Sequence, residues 1–315
     1  MALKLGLNLG YWGIGPAGED ALEVVQAAER AGYESVWAAE SYGSDVVSVL
    51  AWLAPQTTTI NLGAAIMQVP ARPPAAAAMA GATIDKLSGG RFLFGFGPSG
   101  PQVSEGWYGV PYAKPWGRTR EYIEVVREIV AREGKLEHAG EHYTLPLPGG
   151  EGKPLKLNFH PERNRIPVFV GAIGRKSVEM AAEICDGWIP IFFSADAFEE
   201  TWGEHLEAGF AKGGRSRETN FYVDLTHRFG FGEVADEVQS LYLEGKRDEA
   251  YAAIPDELVE ATSLVGTEAE VAARIEKLEA AGVDRLICSP VHMDAGQRLH
   301  TIERLAALVG TPAAA

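Results

Sequence analysis

Several stretches of this 315-residue chain place chemistry-bearing side chains beside glycines that would let a ligand approach them. In "VGAIGRKS" (170–177) an apolar run meets Gly171 and Gly174, and a helical pattern then opens with Arg175 and Lys176. Free backbone N–H groups, the positive end of a helix and two cations together make a site for a phosphate. Cations are disfavoured at a helix start unless something negative compensates them, which argues against two merely solvated charges. Glu40 closes the run "ESVWAAE", where a carboxylate can position a ligand or move a proton; a salt bridge to Arg72 is the structural alternative. "GFGPSG" (95–100) spells G-x-G-x-x-G, which reads either as a dinucleotide phosphate loop or as a strand end bared for a ligand. His227 and His292 lie near strand ends, as acid/base groups or as satisfied structural residues. His138 and His142 have H-x-x-x-H spacing but enclose Gly140, so no metal is expected there. Cys185 and Cys288 sit in apolar surroundings without metal-type spacing and read as small buried side chains.

The elements that must hold these residues alternate. "LKLGLNLG" predicts a strand and "GEDALEVVQAAERAG" an amphipathic helix. "YESVWAAE" follows as a strand, then the helix "SDVVSVLAWLAPQ" with Ser44 as its cap. The strand "INLGAAIMQV" leads to "PPAAAAMAGATIDKLSGG", a helix with proline at its start and glycine at its end. "RFLFGFG" is a fourth strand and "GRTREYIEVVREIVAREG" a fourth helix. The second half continues with "IPVFVGA", "RKSVEMAAEIC", "GWIPIFF" and "DAFEETWGEHLEAGFAKGG". It ends with "NFYVDLTHRFGF", a helical region from about Glu233 to Ala261, the helix "TEAEVAARIEKLEAAG" and the strand "DRLICSP".

Eight strands alternating with helices predict parallel pairing through helical crossovers, and a single (β/α)8 barrel over 1–315 fits better than two dinucleotide-binding domains. Residues 133–165 break the rhythm and read as an insertion after helix four, with room for a small hairpin. This arrangement decides against the phosphate-loop reading. The glycines follow the fourth strand, Pro98 and Pro101 interrupt them, and some sixteen residues separate them from the next helix.

Composition narrows the partners. A formal net charge of −15 disfavours nucleic acid, which needs a basic face. No apolar run has the length of a membrane span, and the start "MALKLGLNLGYWG" lacks a leader pattern, so the expected location is cytoplasmic.

Taken together, "LGLNLGYW", "AERAGYESVWAAESYGSD", "INLGAAIMQVPARPPAAAAMAGATIDKLSGGRFLFGFGPSG" and "IPVFVGAIGRKSVEMAAEICDGW" resemble the luciferase-like superfamily, and within it the branch using the deazaflavin coenzyme F420. The resemblance runs over almost the whole chain. It implies a TIM-like barrel with the tricyclic ring across the C-terminal mouth. It also implies a non-prolyl cis peptide at Ala65–Ile66 behind the ring, and the cofactor phosphate on Gly171, Ala172, Ile173 and Gly174 with Arg175 and Lys176. Gly97 and Glu40 join the cofactor site, Glu40 and His227 are the candidate catalytic groups, and Trp12, Tyr42, Trp107 and His292 line an apolar substrate pocket. Related sugar-phosphate dehydrogenases carry Asp-His where this chain has Glu40-Ser41, and a glutamate after strand four where it reads "GPSGP". The resemblance therefore does not carry sugar-phosphate oxidation by that mechanism over to this chain. The expected activity is hydride transfer between F420 and a small organic substrate, in a homodimer joined through helices near the second and third strands. The alternatives are a monooxygenase using flavin mononucleotide (FMN) and a non-catalytic F420-binding relative.

Overall fold

The computed structural model describes residues 3–13, 18–190, 195–214, 241, 244–292 and 294–310. In chain order the elements are β1 (Lys4–Gly10), α1 (Ala21–Arg30), β2 (Ser35–Ala38), α2 (Val46–Leu53), β3 (Asn61–Ala64), β4 (Met67–Gln68), α3 (Pro74–Leu87) and β5 (Phe92–Gly97). Next come α4 (Pro101–Ser104), α5 (Pro115–Ala131), β6 (His138–Ala139), β7 (Thr144–Leu145), β8 (Val168–Gly171), α6 (Arg175–Ile184) and β9 (Gly187–Ile189). A π-helical stretch (Glu199–Gly203) leads into α7 (Glu204–Lys212), followed by α8 (Arg247–Ala252), α9 (Asp256–Thr262), α10 (Glu268–Ala280), β10 (Arg285–Cys288) and α11 (Ala295–Val309). The expected strand "NFYVDLTHRFGF", with His227, lies outside the described residues.

The chain divides into two compact units. The larger one (Lys4–Gly171, Ile184–Gly187, Arg285–Ala315) is built on a parallel sheet in the order β10-β1-β2-β3-β5-β8, with β4 also paired to β5. Large and small residues interlock on one face of this sheet. Trp37 stands opposite Gly63 in the register, and a Cβ on Gly63 would come within 2.2 Å of its indole. Phe169 meets Trp37 edge-on at 5.1 Å, and a Cβ on Gly187 would lie 2.0 Å from the Phe169 ring. Arg285, paired with Glu34 at 2.7 Å, covers the Phe169 ring at 5.1 Å. On β5 the fully buried Phe92, Phe94 and Phe96 point the other way, with Phe94 against Gly81 of α3 and Phe96 against Tyr122 of α5. The alternation of a strand therefore sets Gly95 and Gly97 on the face opposite the three phenylalanines. Two of the three glycines in G-x-G-x-x-G are strand residues, so no phosphate loop forms there.

Two local expectations need correction. Asp45, not Ser44, caps α2: its carboxylate accepts Ser48 N at 2.7 Å, whereas Ser44 Oγ accepts Trp12 N at 2.9 Å. A carboxylate is the stronger acceptor at a helix start. The loop after β5 also contains the single turn α4, begun by Pro101, rather than sixteen non-helical residues.

Glu29 on α1 holds the approach to β3. Its Oε1 accepts the backbone N–H groups of Thr58, Thr59 and Ile60 at 2.8, 2.6 and 3.0 Å. Burial works against this charge, but the bonds from Ile60, Thr59 and Thr58 outweigh it and hold the carboxyl below its ordinary value. A carboxyl depressed by folding adds stability above its unfolded pKa and loses it as pH falls through the folded one. Glu29→Gln is therefore expected to cost about 1–2 kcal/mol at pH 7 and progressively less in acid. Urea melts of both proteins between pH 7 and 3 check this; a pH-independent difference would refute it.

The insertion carries an antiparallel hairpin in which His138 pairs with Leu145 and Ala139 with Thr144. Glu121 of α5 clamps it by accepting His142 N at 2.8 Å and Tyr143 N at 2.6 Å, with His138 Nε2 at 3.3 Å. A Cβ on Gly140 would lie 1.9 Å from Glu121 Oε1, so a side chain there would push the carboxylate out of its clamp.

The smaller unit (Met1–Leu3, Ala172–Glu183, Trp188–Asp284) packs α6 closely on α7. A Cβ on Gly209 would lie 2.2 Å from the Glu179 carbonyl. Trp188 and Trp202 meet edge-on at 5.9 Å, and α10 begins with a capping box between Thr267 and Glu270. The long helical region expected up to Ala261 is broken in its described part, where Pro255 ends one helical pattern and starts α9. Among the described residues no helix is long and apolar enough to cross a membrane.

Candidate functional site

The C-terminal ends of β2 and β3 carry a buried polar network. The Ala65–Ile66 peptide, between β3 and β4, is cis, at the expected position. Ile66 extends toward Gly97 at the end of β5: a Cβ on Gly97 would stand 2.2 Å from Ile66 Cδ1 and 3.5 Å from the Gly171 carbonyl. Gly97 thus makes room for the Ile66 side chain, and Ala65 and Ile66 remain half-buried, an apolar surface that a flat ring can approach.

Glu40 is buried behind this segment, its side chain 4% exposed. Its Oε2 accepts Gln68 N at 2.9 Å and Arg72 Nη1 at 3.0 Å, and its Oε1 accepts Arg72 Nη2 at 2.5 Å. Arg72 also donates to Asp45 Oδ1 at 2.9 Å, and Tyr122 Oη donates to the Arg72 carbonyl at 3.1 Å. Burial opposes the charge of Arg72, yet Glu40 and Asp45 outweigh it and raise the guanidinium above its ordinary value. Both carboxylate oxygens of Glu40 are thus engaged, and the arrangement is the salt-bridged one.

Gln68, Tyr108 and Asp45 complete the network and were not singled out from sequence. Gln68 Nε2 donates to the Ser41 carbonyl at 2.7 Å, and Tyr108 Oη lies 3.5 Å from the same nitrogen. Burial, then the charge of Glu40, pushes the Tyr108 hydroxyl up. A sequence signal existed for Gln68, a polar residue inside the apolar run "AAIMQV".

The expected pocket residues stand on loops of this same unit. Trp12 packs edge-on against Trp52 at 5.1 Å. Tyr42 and Trp107 are 72% and 65% exposed, and His292 offers its carbonyl to Arg298 Nη1 at 2.6 Å. A cavity of about 330 Å³ lined by Phe94, Val126, Arg127, Val130, Ile166 and Val168 lies at the start of β8, the opposite end of the strands. Its Arg127 is already committed to the Ile184 carbonyl and Asp186, so this cavity is not the candidate site.

In the smaller unit, three successive carbonyls ahead of α6 are tied inward. Ala172 O accepts Trp188 Nε1 at 2.8 Å, Ile173 O accepts Trp202 Nε1 at 3.2 Å, and Gly174 O accepts Ser177 Oγ at 2.7 Å. α6 begins at Arg175, and Arg175 and Lys176 are exposed in its first turn. Ser177 N and Val178 N donate to the Gly174 carbonyl at 2.9 and 3.0 Å, so it is the N–H groups of Arg175 and Lys176 that lack a partner inside the helix. Cys185 is buried and Cys288 half-buried; among the described residues no group of His, Cys, Asp or Glu is placed to hold a metal.

The sequence matches the luciferase-like monooxygenase family over residues 9–226 and 216–285. It is 44% identical to a Mycobacterium tuberculosis protein named as a candidate coenzyme F420-dependent oxidoreductase, across 90% of this chain and 94% of that one. It is 29% identical to the 5,10-methylenetetrahydromethanopterin reductase of Archaeoglobus fulgidus, across 88% and 92% of the two chains. The coenzyme F420-dependent tetrahydromethanopterin reductase structure from Methanopyrus kandleri superposes with a TM-score of 0.83 at 23% identity, covering 97% and 98%. The parallel sheet and its crossovers are those of the luciferase-like TIM barrel, and the chain belongs to the luciferase-like monooxygenase family.

Proposed function

We propose that the protein is a coenzyme F420-dependent oxidoreductase acting on a small organic molecule. The 44% identity over nine-tenths of the chain to a relative named for that cofactor carries this reading. The residues present suit a flat ring: the half-buried Ala65 and Ile66 back it, and Gly97 carries no side chain that would displace Ile66. When bound, the deazaflavin supplies a ring carbon that gives or takes a hydride.

The chain's own part is positioning and exclusion of water. Glu40 and Arg72 fix the segment behind the ring, so Glu40 is a positioning residue whose carboxylate is already spoken for. His227 remains the candidate acid or base. Trp12, Tyr42, Trp107 and His292 supply apolar and aromatic walls for the substrate. In the smaller unit, taken by itself, the start of α6 offers the side chains and backbone N–H groups of Arg175 and Lys176 to a phosphate. The exposed Trp52 of α2 and Met79 of α3 are the apolar groups through which a homodimer would form.

Titration of the purified protein with F420 and with FMN, followed by fluorescence, tests the reading. Micromolar or tighter F420 binding with weaker FMN binding is expected. The reverse order would make it an FMN-using monooxygenase, and F420 binding without turnover of any carbonyl or alcohol tried would make it a carrier.

A further inference from the structure

Gln68 is 1% exposed, and only half of its carboxamide is used. Its orientation is fixed by chemistry: the atom 2.7 Å from the Ser41 carbonyl must be the nitrogen, because a carbonyl oxygen only accepts. That leaves Oε1 buried with no hydrogen-bond partner. A buried acceptor without a donor is uncommon enough in folded proteins to require a reason. Packing does not supply one, since methionine fills the same volume without a polar atom. Anchoring the Ser41 carbonyl does not either, since a donor alone would do that.

The position supplies a reason. Gln68 lies two residues beyond the Ala65–Ile66 peptide, its own N–H is fixed by Glu40, and its amide nitrogen is fixed by Ser41. Both ends of the residue are therefore immobilised, which is what holds an acceptor in one orientation. The neighbour beside the carboxamide nitrogen is held much less firmly. Tyr108, half-buried in the turn after α4, reaches Gln68 Nε2 at 3.5 Å and the Ser41 carbonyl at 3.4 Å. Both distances lie at the limit of hydrogen bonding, so little opposes turning this side chain aside.

We propose that Gln68 is a cofactor-positioning residue. Its Oε1 accepts an N–H or O–H of the bound deazaflavin ring, whose imide nitrogen and ring hydroxyl are donors, and Tyr108 moves away to admit it. This rests on the F420 reading above. The ring faces Ala65 and Ile66, and Gln68 sets its orientation in the plane.

The experiment compares wild type, Gln68→Met and Tyr108→Phe by F420 fluorescence titration, by the absorption spectrum of the bound cofactor, and by thermal melting. Gln68→Met is expected to weaken F420 binding about tenfold or more and to shift the bound spectrum toward that of free F420. Tyr108→Phe, which removes only the hydroxyl beside the amide nitrogen, is expected to bind as tightly as wild type or tighter. If Gln68→Met does not fold, Gln68→Asn, which withdraws the same amide by one methylene, is expected to show the same loss of affinity and the same spectral shift. Wild-type binding matched within twofold by a folded Gln68 variant, with an unchanged spectrum, overturns the proposal while leaving the F420 reading intact. Failure of the wild type itself to bind F420 overturns the reading and the proposal with it.

Discussion

Arg72→Met is expected to destabilise the protein by about 3–5 kcal/mol, because it strands Glu40 as an unpaired charge in a buried site. The pair is bidentate, and the two side chains are 16% and 4% exposed. Water therefore cannot replace the guanidinium cheaply on the Glu40 side. Arg72→Lys tests geometry against charge: a point cation cannot reproduce the two-armed bond, so a substantial part of the loss should remain. Glu40→Gln removes the charge while keeping an oxygen for Gln68 N and leaving Arg72 its second partner, Asp45. Its cost should be smaller, about 1–2 kcal/mol. A double-mutant cycle in urea measures the coupling. A loss below about 1 kcal/mol for Arg72→Met would mean that Glu40 is not held in this way. If Glu40 moves a proton during turnover instead, Glu40→Gln should lower turnover by about 10²–10⁴-fold with stability little changed.

The parts of the fold that follow from local pattern were legible. The apolar run "RFLFGFG" marked β5, and the two faces of the strand explain why Gly95 and Gly97 are not a phosphate loop. Proline at the start of α3 and glycines after it marked that helix. The candidate site was legible from the residues where a strand end met an unusual one, as at Glu40, and from the family resemblance at Ala65–Ile66. Which acceptor caps α2 was settled by competition: Ser44 is drawn away by Trp12 N, 32 positions back, and Asp45 takes the cap. Gln68 escaped notice because its meaning lies in three partners, Glu40, Ser41 and Tyr108, that only the folded chain assembles. The grip of Glu29 on Thr58, Thr59 and Ile60 is of the same kind, a carboxylate meeting a turn some thirty positions away.

Arg163→Met is the second large expected loss, again about 3–5 kcal/mol, and it bears on how the insertion is fastened. Asp85, at the end of α3, has a side chain with no exposure at all. Arg163, near the end of the insertion, donates to it from Nε at 3.2 Å and from Nη2, and Phe92 N donates at 3.2 Å. The same Nη2 reaches the Phe92 carbonyl, so one guanidinium ties the insertion to both α3 and the first residue of β5. Without it, one backbone N–H is left to face a fully buried carboxylate. Asp85→Asn should cost less than Arg163→Met, because the amide oxygen keeps the bond from Phe92 N and no charge is stranded. Asp85→Leu combined with Arg163→Met should recover much of the loss, since an apolar pair avoids desolvating either ion. Urea melts of the four proteins give the stabilities, and limited proteolysis reports on residues 133–165 separately. Faster cleavage there in Arg163→Met, but not in the double variant, would show that insertion and core are joined by the stranded charge's demand for a partner. Equal cleavage in both would assign the fastening to the guanidinium's bond to the Phe92 carbonyl instead. β5 ends at Gly97, so whichever bond fastens its first residue also sets how firmly the far end of the strand is presented to a ligand.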